Sequence, residues 1–421
     1  MPSENYIYPS LLKKTQEVSG ESFLDSSPLG VRVYSNCHAL PYRQMKNANG
    51  EECWGGGLCC DGEWIVNSGV NYNSLTPYRF DPNEALFLDE EVIYIGMLSS
   101  IWGHAITDGI QHLWWLSTEE YQSKHKQIRI YYSGDAPLSG NFLELLRLAG
   151  VEVSKLCFVD RILCFRSVIV PDSCFVSDYP EIHYHPEYIR MLDYIVANGS
   201  VETHHQKKIF LSLHEDTRNR GVSHIENVVR KAGYEVVYPE RCSLQEQISM
   251  LQAAEAVMTF DGSVGHNVLF CKPGTRIAVL RKANYINEYQ MLVDGIRDYE
   301  VCIIDVHLSW MNKERFPYGG PFFVYANELL CSYLNVPCPS FPWSSFRAYL
   351  RYNLYDDYPE LLGRLSVPEE YASRLAGEIE SERQRCQKRV SSTFKYLPLP
   401  NRIKTKLVTR IVKSKVRHLL G

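Results

Sequence analysis

Three stretches of the chain gather residue types that could do chemistry. In SSIWGHAITDGIQHLWWL (Ser99 to Leu116), His104, Asp108 and His112 recur at helical spacing and would share one face of a helix. A carboxylate one turn from an imidazole orients it and raises its basicity, which suits removal of a proton from a hydroxyl. The same face could ligate a metal, but two histidines and one aspartate without further ligands make a thin set, and no metal is expected. A helix end showing polar residues to water is the plainer alternative, with Trp114 and Trp115 beside it arguing for more.

The second stretch is VMTFDGSVGHNVLFCKPGTRIAVL (Val257 to Leu280). An apolar run breaks at Asp261-Gly262-Ser263-Val264-Gly265-His266-Asn267, and a second apolar segment follows. Glycines let backbone N–H groups approach a ligand, and a helix start after the loop would add partial positive charge, which together suit a phosphate or diphosphate. A tight turn capped by Ser263 would need no ligand. The run also approaches the Gly-x-Ser-x-Gly nucleophile elbow, but Asp261 stands where that turn needs a small residue, and no acid and histidine follow in the expected order. The third stretch, HEDTRNRG (His214 to Gly221), puts Arg218 and Arg220 in a polar loop directly after a strand pattern. Guanidinium groups there could hold a diphosphate bidentately, or simply pair with Glu215 and Asp216 in water.

These groups need a scaffold, and the second half of the chain spells one out. Lys208–Leu213, the run YEVVYP, Ala256–Phe260, Arg276–Leu280 and Val301–Asp305 read as strands. Helices fit at 223–232, from Ser243 to about 254, and near 284–296, with Ser243 and Glu246 forming a capping box. Strands that are continuous apolar runs, alternating with helices, describe a parallel sheet covered on both faces. In the first half, 92–98, 127–132 and 167–171 are strand candidates, with helices over 103–117 and 141–149. The first 90 residues give weaker signals of short antiparallel strands. The predicted class is α/β, with two Rossmann-like domains facing a cleft.

At 421 residues the chain exceeds one usual hydrophobic core. Its 45% hydrophobic and 22% charged residues are ordinary for a globular protein. No apolar run reaches the roughly 18 residues of a membrane span, and MPSENYIYPSLLKK lacks the pattern of a secretion signal. The 13 cysteines are odd in number and contain no Cys-x-x-Cys pair, so free thiols in a reducing cytosol are expected. The net charge of −5 conceals a polarised chain: residues 383–421 are rich in Lys and Arg and hold no Asp or Glu. Over 401–420, Arg402, Lys406, Arg410, Lys413 and Arg417 fall on one helical arc and aliphatic residues on the rest. That pattern predicts a basic amphipathic C-terminal helix lying on an anionic membrane surface, and so a cytoplasmic protein peripheral to the inner face of a membrane. Docking on the acidic body is the alternative; a nucleic-acid partner lacks any recognisable domain and is not expected.

Taken together, the stretches resemble glycosyltransferase family 61. GHAITDGIQHLWW is similar to the family's His-x-x-x-Asp helix. YEVVYPERCSLQEQISMLQAAEAVM is similar to its Pro-Glu and Ser-x-x-Glu-Gln run, which puts Glu240 and Gln247 on family positions. DGSVGHNVLFCKPGT is similar to its Gly-(Ala/Ser)-x-x-x-Asn-x-(Ile/Leu)-Phe loop. The chain departs at Asp261, where the family carries His, and at Ser212-Leu213, where it carries Ser-Arg. The resemblance implies a GT-B-like architecture and inverting transfer of a sugar from a nucleotide-sugar to a glycan or lipid-linked glycan hydroxyl in polysaccharide biosynthesis, with no cofactor. Asp108, or the His104–Asp108 pair, would be the base. Arg218, Arg220, Glu240, Gln247, Asp261, Gly262, Ser263, His266 and Asn267 would hold the donor and its diphosphate. The implied units are an acceptor-side domain (1–204), a nucleotide-sugar domain (205–315), a segment crossing back onto the first domain (316–382) and the basic tail (383–421). A polysaccharide pyruvyltransferase-like enzyme, and a non-catalytic transferase relic that binds glycan or partners at the membrane, are the competing readings.

Overall fold

The computed structural model describes residues 23–46, 52–65, 68, 78–178, 181–201, 207–214, 220–282, 288–297, 299, 301–308 and 322–353. Arg218 and the whole basic segment 383–421 lie outside the described residues, so the amphipathic helix expected over 401–420 does too.

The first half is built on a seven-stranded sheet. Its strands are β1 (Val31–Lys46), β2 (Glu52–Cys60), β3 (Glu63–Ile65), β4 (Leu86–Leu98), β5 (Arg129–Gly134), β6 (Leu156–Phe158) and β7 (Leu163–Pro171), in the order β3-β2-β1-β7-β4-β5-β6. β4 runs parallel to β5 and β7, and β5 to β6, while β1 joins β7 and β2 antiparallel. The half expected to be Rossmann-like is therefore mixed, because an antiparallel ribbon is added to its parallel centre. Nor are the leading strands short: β1 spans 16 residues. The ribbon's register shifts between Leu40 and Arg43, around Pro41, which has no N–H to give a ladder. There Ser133 Oγ donates to the Leu40 carbonyl at 2.9 Å and Tyr94 OH donates to Ser133 Oγ at 3.0 Å, tying ribbon to sheet.

Cys37 and Cys60, opposite each other on β1 and β2, form a disulfide inside this half's second apolar cluster. This corrects the expectation of free thiols for these two residues, because the antiparallel register sets them opposite each other. Nine other described cysteines stand outside any disulfide.

A second correction concerns the helix expected over 103–117. It is broken into α1 (Trp102–Ile106) and two 3₁₀ turns, Asp108–Ile110 and Leu113–Ser117. The break falls at Thr107 (φ −107°, ψ −100°), whose hydroxyl donates to the Gly103 carbonyl and to Asp108 Oδ1, both at 2.8 Å. A hydroxyl that bonds locally offers the backbone an alternative to the helical ladder. The half continues through α2 (Asn141–Leu148), the hairpin of β8 (Phe175–Asp178) and β9 (Glu181–Tyr184), and α3 (Pro186–Gly199).

The second half follows its periodicity closely. β10 (Lys207–Leu211), α4 (Val222–Lys231), β11 (Tyr234–Val237), α5 (Leu244–Ala253), β12 (Ala254–Phe260), β13 (Arg276–Arg281), α6 (Glu288–Ile296) and β14 (Val301–Asp305) alternate as expected. All five strands are parallel, in the order β11-β10-β12-β13-β14. The capping box at Ser243 and Glu246 is formed in full. The expected helix after the glycine loop is instead a buried 3₁₀ segment, Gly265–Phe270.

Beyond it, β15 (His307–Leu308) pairs with β16 (Phe323–Val324), followed by α7 (Glu328–Leu334) and α8 (Trp343–Asn353). Of the segment expected to cross back, 316–382, residues 322–353 are described. Backbone and side-chain hydrogen bonds join 322–326 to Arg220, Val306 and His224 of the second half, because Phe322–Val324 completes strand pairing there.

One apolar core runs through both halves, from Ile95 and Leu113 past Tyr188 to Phe210, Phe260 and Leu330. Gly199, ending α3, sits where an added Cβ would lie 2.7 Å from Ile248 Cδ1 and 3.0 Å from Leu148 Cδ1, so a side chain there would have to displace the tips that α2 and α5 pack against it. No helix among the described residues is long and apolar enough to cross a membrane.

Candidate functional site

The strand order of the second sheet turns back between β10 and β12, and ligands of open parallel sheets collect beyond the carboxyl ends of the strands at such a point. The loop Asp261–Val264 leaves β12 there. Gly262 takes φ +95°, which a side chain resists, and its carbonyl accepts from the Gly265 N–H at 2.7 Å. The turn leaves the amides of Gly262, Ser263 and Val264 donating to no group among the described residues. Asp261 is buried; its Oδ1 accepts the Lys282 N–H at 3.1 Å, Oδ2 has no partner, and burial raises its pKa against the pull of Lys282 and Arg281. Its carboxylate shapes the loop from behind.

The first half brings α1 onto this loop. Trp102 Nε1 donates to Asn267 Oδ1 at 2.8 Å, and a Cβ added to Gly103 would stand 2.8 Å from Ser263 Oγ and 3.0 Å from His266 Nδ1. Behind that contact, His104 Nδ1 lies 3.1 Å from Asp108 Oδ1. The spacing survives the break in the helix because the turn at Thr107 brings Asp108 back under His104. The Asp108 side chain is fully buried whereas that of His104 is 15% exposed, so the imidazole is the member a ligand can touch. With Nδ1–H directed at the carboxylate, Nε2 is the basic nitrogen.

Tyr289, on α6, joins the two sides. Its ring packs edge-on against His104 at 5.3 Å and lies nearly parallel to His266 at 6.1 Å. His266 is buried beside the Gly103 backbone without reaching hydrogen-bond geometry at either ring nitrogen, and burial pulls its pKa down to about 4.

The remaining expected site residues divide. Gly262 and Ser263 are partly exposed and line the contact. Asn267 is buried with both amide ends engaged, Oδ1 by Trp102 and Nδ2 by the Val264 carbonyl at 3.1 Å, so it clamps the halves. Gln247 lies apart: its Nε2 donates to the Pro239 and Cys242 carbonyls at 2.9 and 3.1 Å, which fixes the turn carrying Glu240. Glu240 is exposed there, and no contact joins it to the glycine loop. Arg220 is held by its backbone, its N–H donating to the Phe322 carbonyl at 3.2 Å and its carbonyl accepting from the Val324 N–H at 3.0 Å. His112 is buried elsewhere, with Nδ1 2.7 Å from the Pro171 carbonyl, and shares no face with the dyad.

Sequence reasoning missed Trp102, Tyr289 and Lys282. Lys282 had a usable signal: it follows β13 one step past Asp261's level in the adjacent parallel strand, so its backbone reaches the same edge. Trp102 and Tyr289 had none, since their partners are remote in the chain. Among the described residues, no cluster of three or more His, Cys, Asp or Glu could hold a metal ion.

The two sheets and the helices around them make the chain a mixed α/β protein. Residues 102–278 match the family described as Glycosyltransferase 61, and this match supports glycosyltransferase activity. No curated protein matches it. Among solved structures it has a faint likeness to the dodecameric iron-containing heptosyltransferase TibC in complex with ADP-D-beta-D-heptose, with a TM-score of 0.27 and 11% identity over 77% of this chain and 93% of that one. It has another to the bacterial iron-containing glycosyltransferase TibC from enterotoxigenic E. coli H10407, with a TM-score of 0.24 and 9% identity over 64% and 86%. Likeness at that level carries no argument.

Proposed function

We propose that the chain is an inverting glycosyltransferase that moves a sugar from a nucleotide-sugar donor to a hydroxyl of a glycan or lipid-linked glycan, with the two halves meeting as in a GT-B enzyme. The observation that carries this reading is the His104–Asp108 pair, which directly follows Gly103 where α1 meets Ser263 and His266 of the opposite half. His104 Nε2 takes the proton of the acceptor hydroxyl as its oxygen attacks the anomeric carbon. Asp108, too buried to meet a substrate, holds the ring's tautomer and steadies the imidazolium. The bond from the anomeric carbon to the donor's phosphate breaks on the opposite side, its electron pair staying on the phosphate oxygen at the carboxyl ends of β10 and β12. A single displacement of this kind inverts the sugar. Fixed donors aimed at the departing charge lower the barrier because they need no reorganisation.

The sequence pattern of 401–420 supports a further element of the reading, that the tail rests on an anionic membrane surface and so places the active site near a lipid-linked acceptor. Co-sedimentation of the full chain and of a chain ending before Arg383 with anionic vesicles tests it; equal binding of the two rejects it.

The transferase reading is tested by thermal shift with UDP, GDP, CMP and their sugars, since a ligand of the folded state raises the melting temperature by mass action. Transfer or donor hydrolysis is then measured for wild type and His104→Asn. Stabilisation by one nucleotide together with loss of turnover in the variant is expected. No stabilisation by any of them, or undiminished turnover in His104→Asn, overturns the reading.

A further inference from the structure

Lys282 makes no salt bridge among the described residues, although its charge pulls on the buried Asp261 carboxyl. It follows β13 and is partly exposed. Its own backbone N–H is spent on Asp261 Oδ1, which anchors the residue beside the loop. Its ammonium lies 5.4 Å from the centroid of the Phe322 ring and would stand 3.2 Å from a Cβ built on Gly262. Phe322 thus supports Lys282 through its ring and Arg220 through its carbonyl, which receives the Arg220 N–H. Beside that ammonium lie the amides of Gly262, Ser263 and Val264, which donate to nothing among the described residues. Consecutive unengaged amides form a concave seat for an anion, and a neighbouring ammonium supplies the charge that selects a phosphate over a neutral ligand. A cation–π contact holds an ammonium in place without neutralising it, unlike a carboxylate.

We propose that Lys282 and the 262–264 amides seat the sugar-bearing phosphate of a nucleoside diphosphate donor, with Lys282 facing the negative charge that develops as the sugar departs. This rests on the transferase reading above and deepens it. Lys282 exchanges no proton: the acceptor's proton goes to His104, the new bond forms between acceptor oxygen and anomeric carbon, and the leaving diphosphate keeps the electron pair of the broken bond. Arg220, fixed through the same Phe322, lies on the β10 side of the seat.

The experiment is isothermal titration of the full chain with UDP, GDP, ADP and inorganic pyrophosphate, comparing wild type with Lys282→Ala, Lys282→Arg and His104→Asn, each checked for an unchanged melting temperature. Wild type is expected to bind a nucleoside diphosphate. Lys282→Ala should weaken it by about tenfold or more, Lys282→Arg should restore most of the affinity, and His104→Asn should bind as wild type does while losing turnover. Binding unchanged in Lys282→Ala overturns the role given to Lys282 and leaves the transferase reading standing. Absence of any binding by wild type overturns both. A Lys282→Ala chain that melts lower is set aside in favour of Lys282→Arg and Lys282→Gln. Affinity in Lys282→Gln equal to that in Lys282→Arg then counts against the charge, whereas loss in Lys282→Gln alone supports it.

Discussion

Trp102 Nε1 donates to Asn267 Oδ1 at 2.8 Å across 165 positions of sequence, and this bond pins the helix that carries His104 to the segment after the glycine loop. Asn267 is buried, and its other amide end is tied to its own loop, so it has no freedom to follow a displaced tryptophan. Trp102→Phe keeps the edge-on ring contact with Phe142 but leaves Asn267 Oδ1 without a donor. The expected loss is about 1–3 kcal/mol of stability in urea denaturation, with a fall in turnover from the loosened alignment. Unchanged stability would show that the halves are held by the apolar core alone.

The dyad makes a ranked prediction. His104→Asn removes the base itself and is expected to lower kcat by about a hundredfold to ten-thousandfold. Asp108→Asn keeps the base and disturbs its tautomer, so its loss should be smaller. A larger loss in Asp108→Asn, with both variants folded, would transfer the role of base to the aspartate.

His266 yields a pH dependence. Its folded pKa of about 4 lies below the ordinary 6.5, so the unfolded chain binds the extra proton first as pH falls. Its contribution is therefore complete above about pH 6.5 and is lost progressively as pH drops towards 4, by roughly 3 kcal/mol in the limit. His307, also held down to about 4 by burial, adds in the same direction. His266→Phe retains a ring against Tyr289 and should lose less stability between pH 7 and pH 5 than wild type. Parallel melting curves for the two chains across that range would count against a buried neutral imidazole.

Gly221 is a backbone requirement. It takes φ +94°, and a Cβ there would lie 1.8 Å from the Val324 carbonyl oxygen, so Gly221→Ala must push β16 off Arg220. A loss of more than about 2 kcal/mol is expected from strain and lost pairing together, along with weaker nucleotide binding. A well-folded Gly221→Ala chain with full affinity would detach Arg220 and Phe322 from the site.

The Cys37–Cys60 disulfide closes a sequence separation of 23 residues, for which about 3 kcal/mol of stabilisation is expected. Paired Cys37→Ala and Cys60→Ala substitutions, or denaturation in reductant, should lower the urea midpoint. Identical midpoints with and without reductant would mean that the pair is not closed in the purified protein.

The second sheet was legible because its evidence is local. Runs such as Ala256–Phe260 and Arg276–Leu280 are apolar throughout, the segments between them are helical in period, and Ser243 with Glu246 marks a helix start by side-chain chemistry alone. The His104–Asp108 pairing was legible for the same reason, although the helix assumed to create it is broken by Thr107. Glu240 and Gln247 show the limit of motif matching: a family position can be kept for a turn's hydrogen bonds, as Gln247 keeps the carbonyls of Pro239 and Cys242.

By itself the sequence determined the alternation of strand and helix, the glycine loop at a strand's end, and the residue types able to move a proton, all of which follow from periodicity and chemistry within a few residues. Only the tertiary structure decided which of them meet. Parallel register sets Lys282 beside Gly262, packing buries Asp108, Asp261 and Asn267, and α1, which carries His104, meets a loop remote in sequence. Such choices depend on how one apolar core closes around both sheets, and nothing in a short window of residues records that closure.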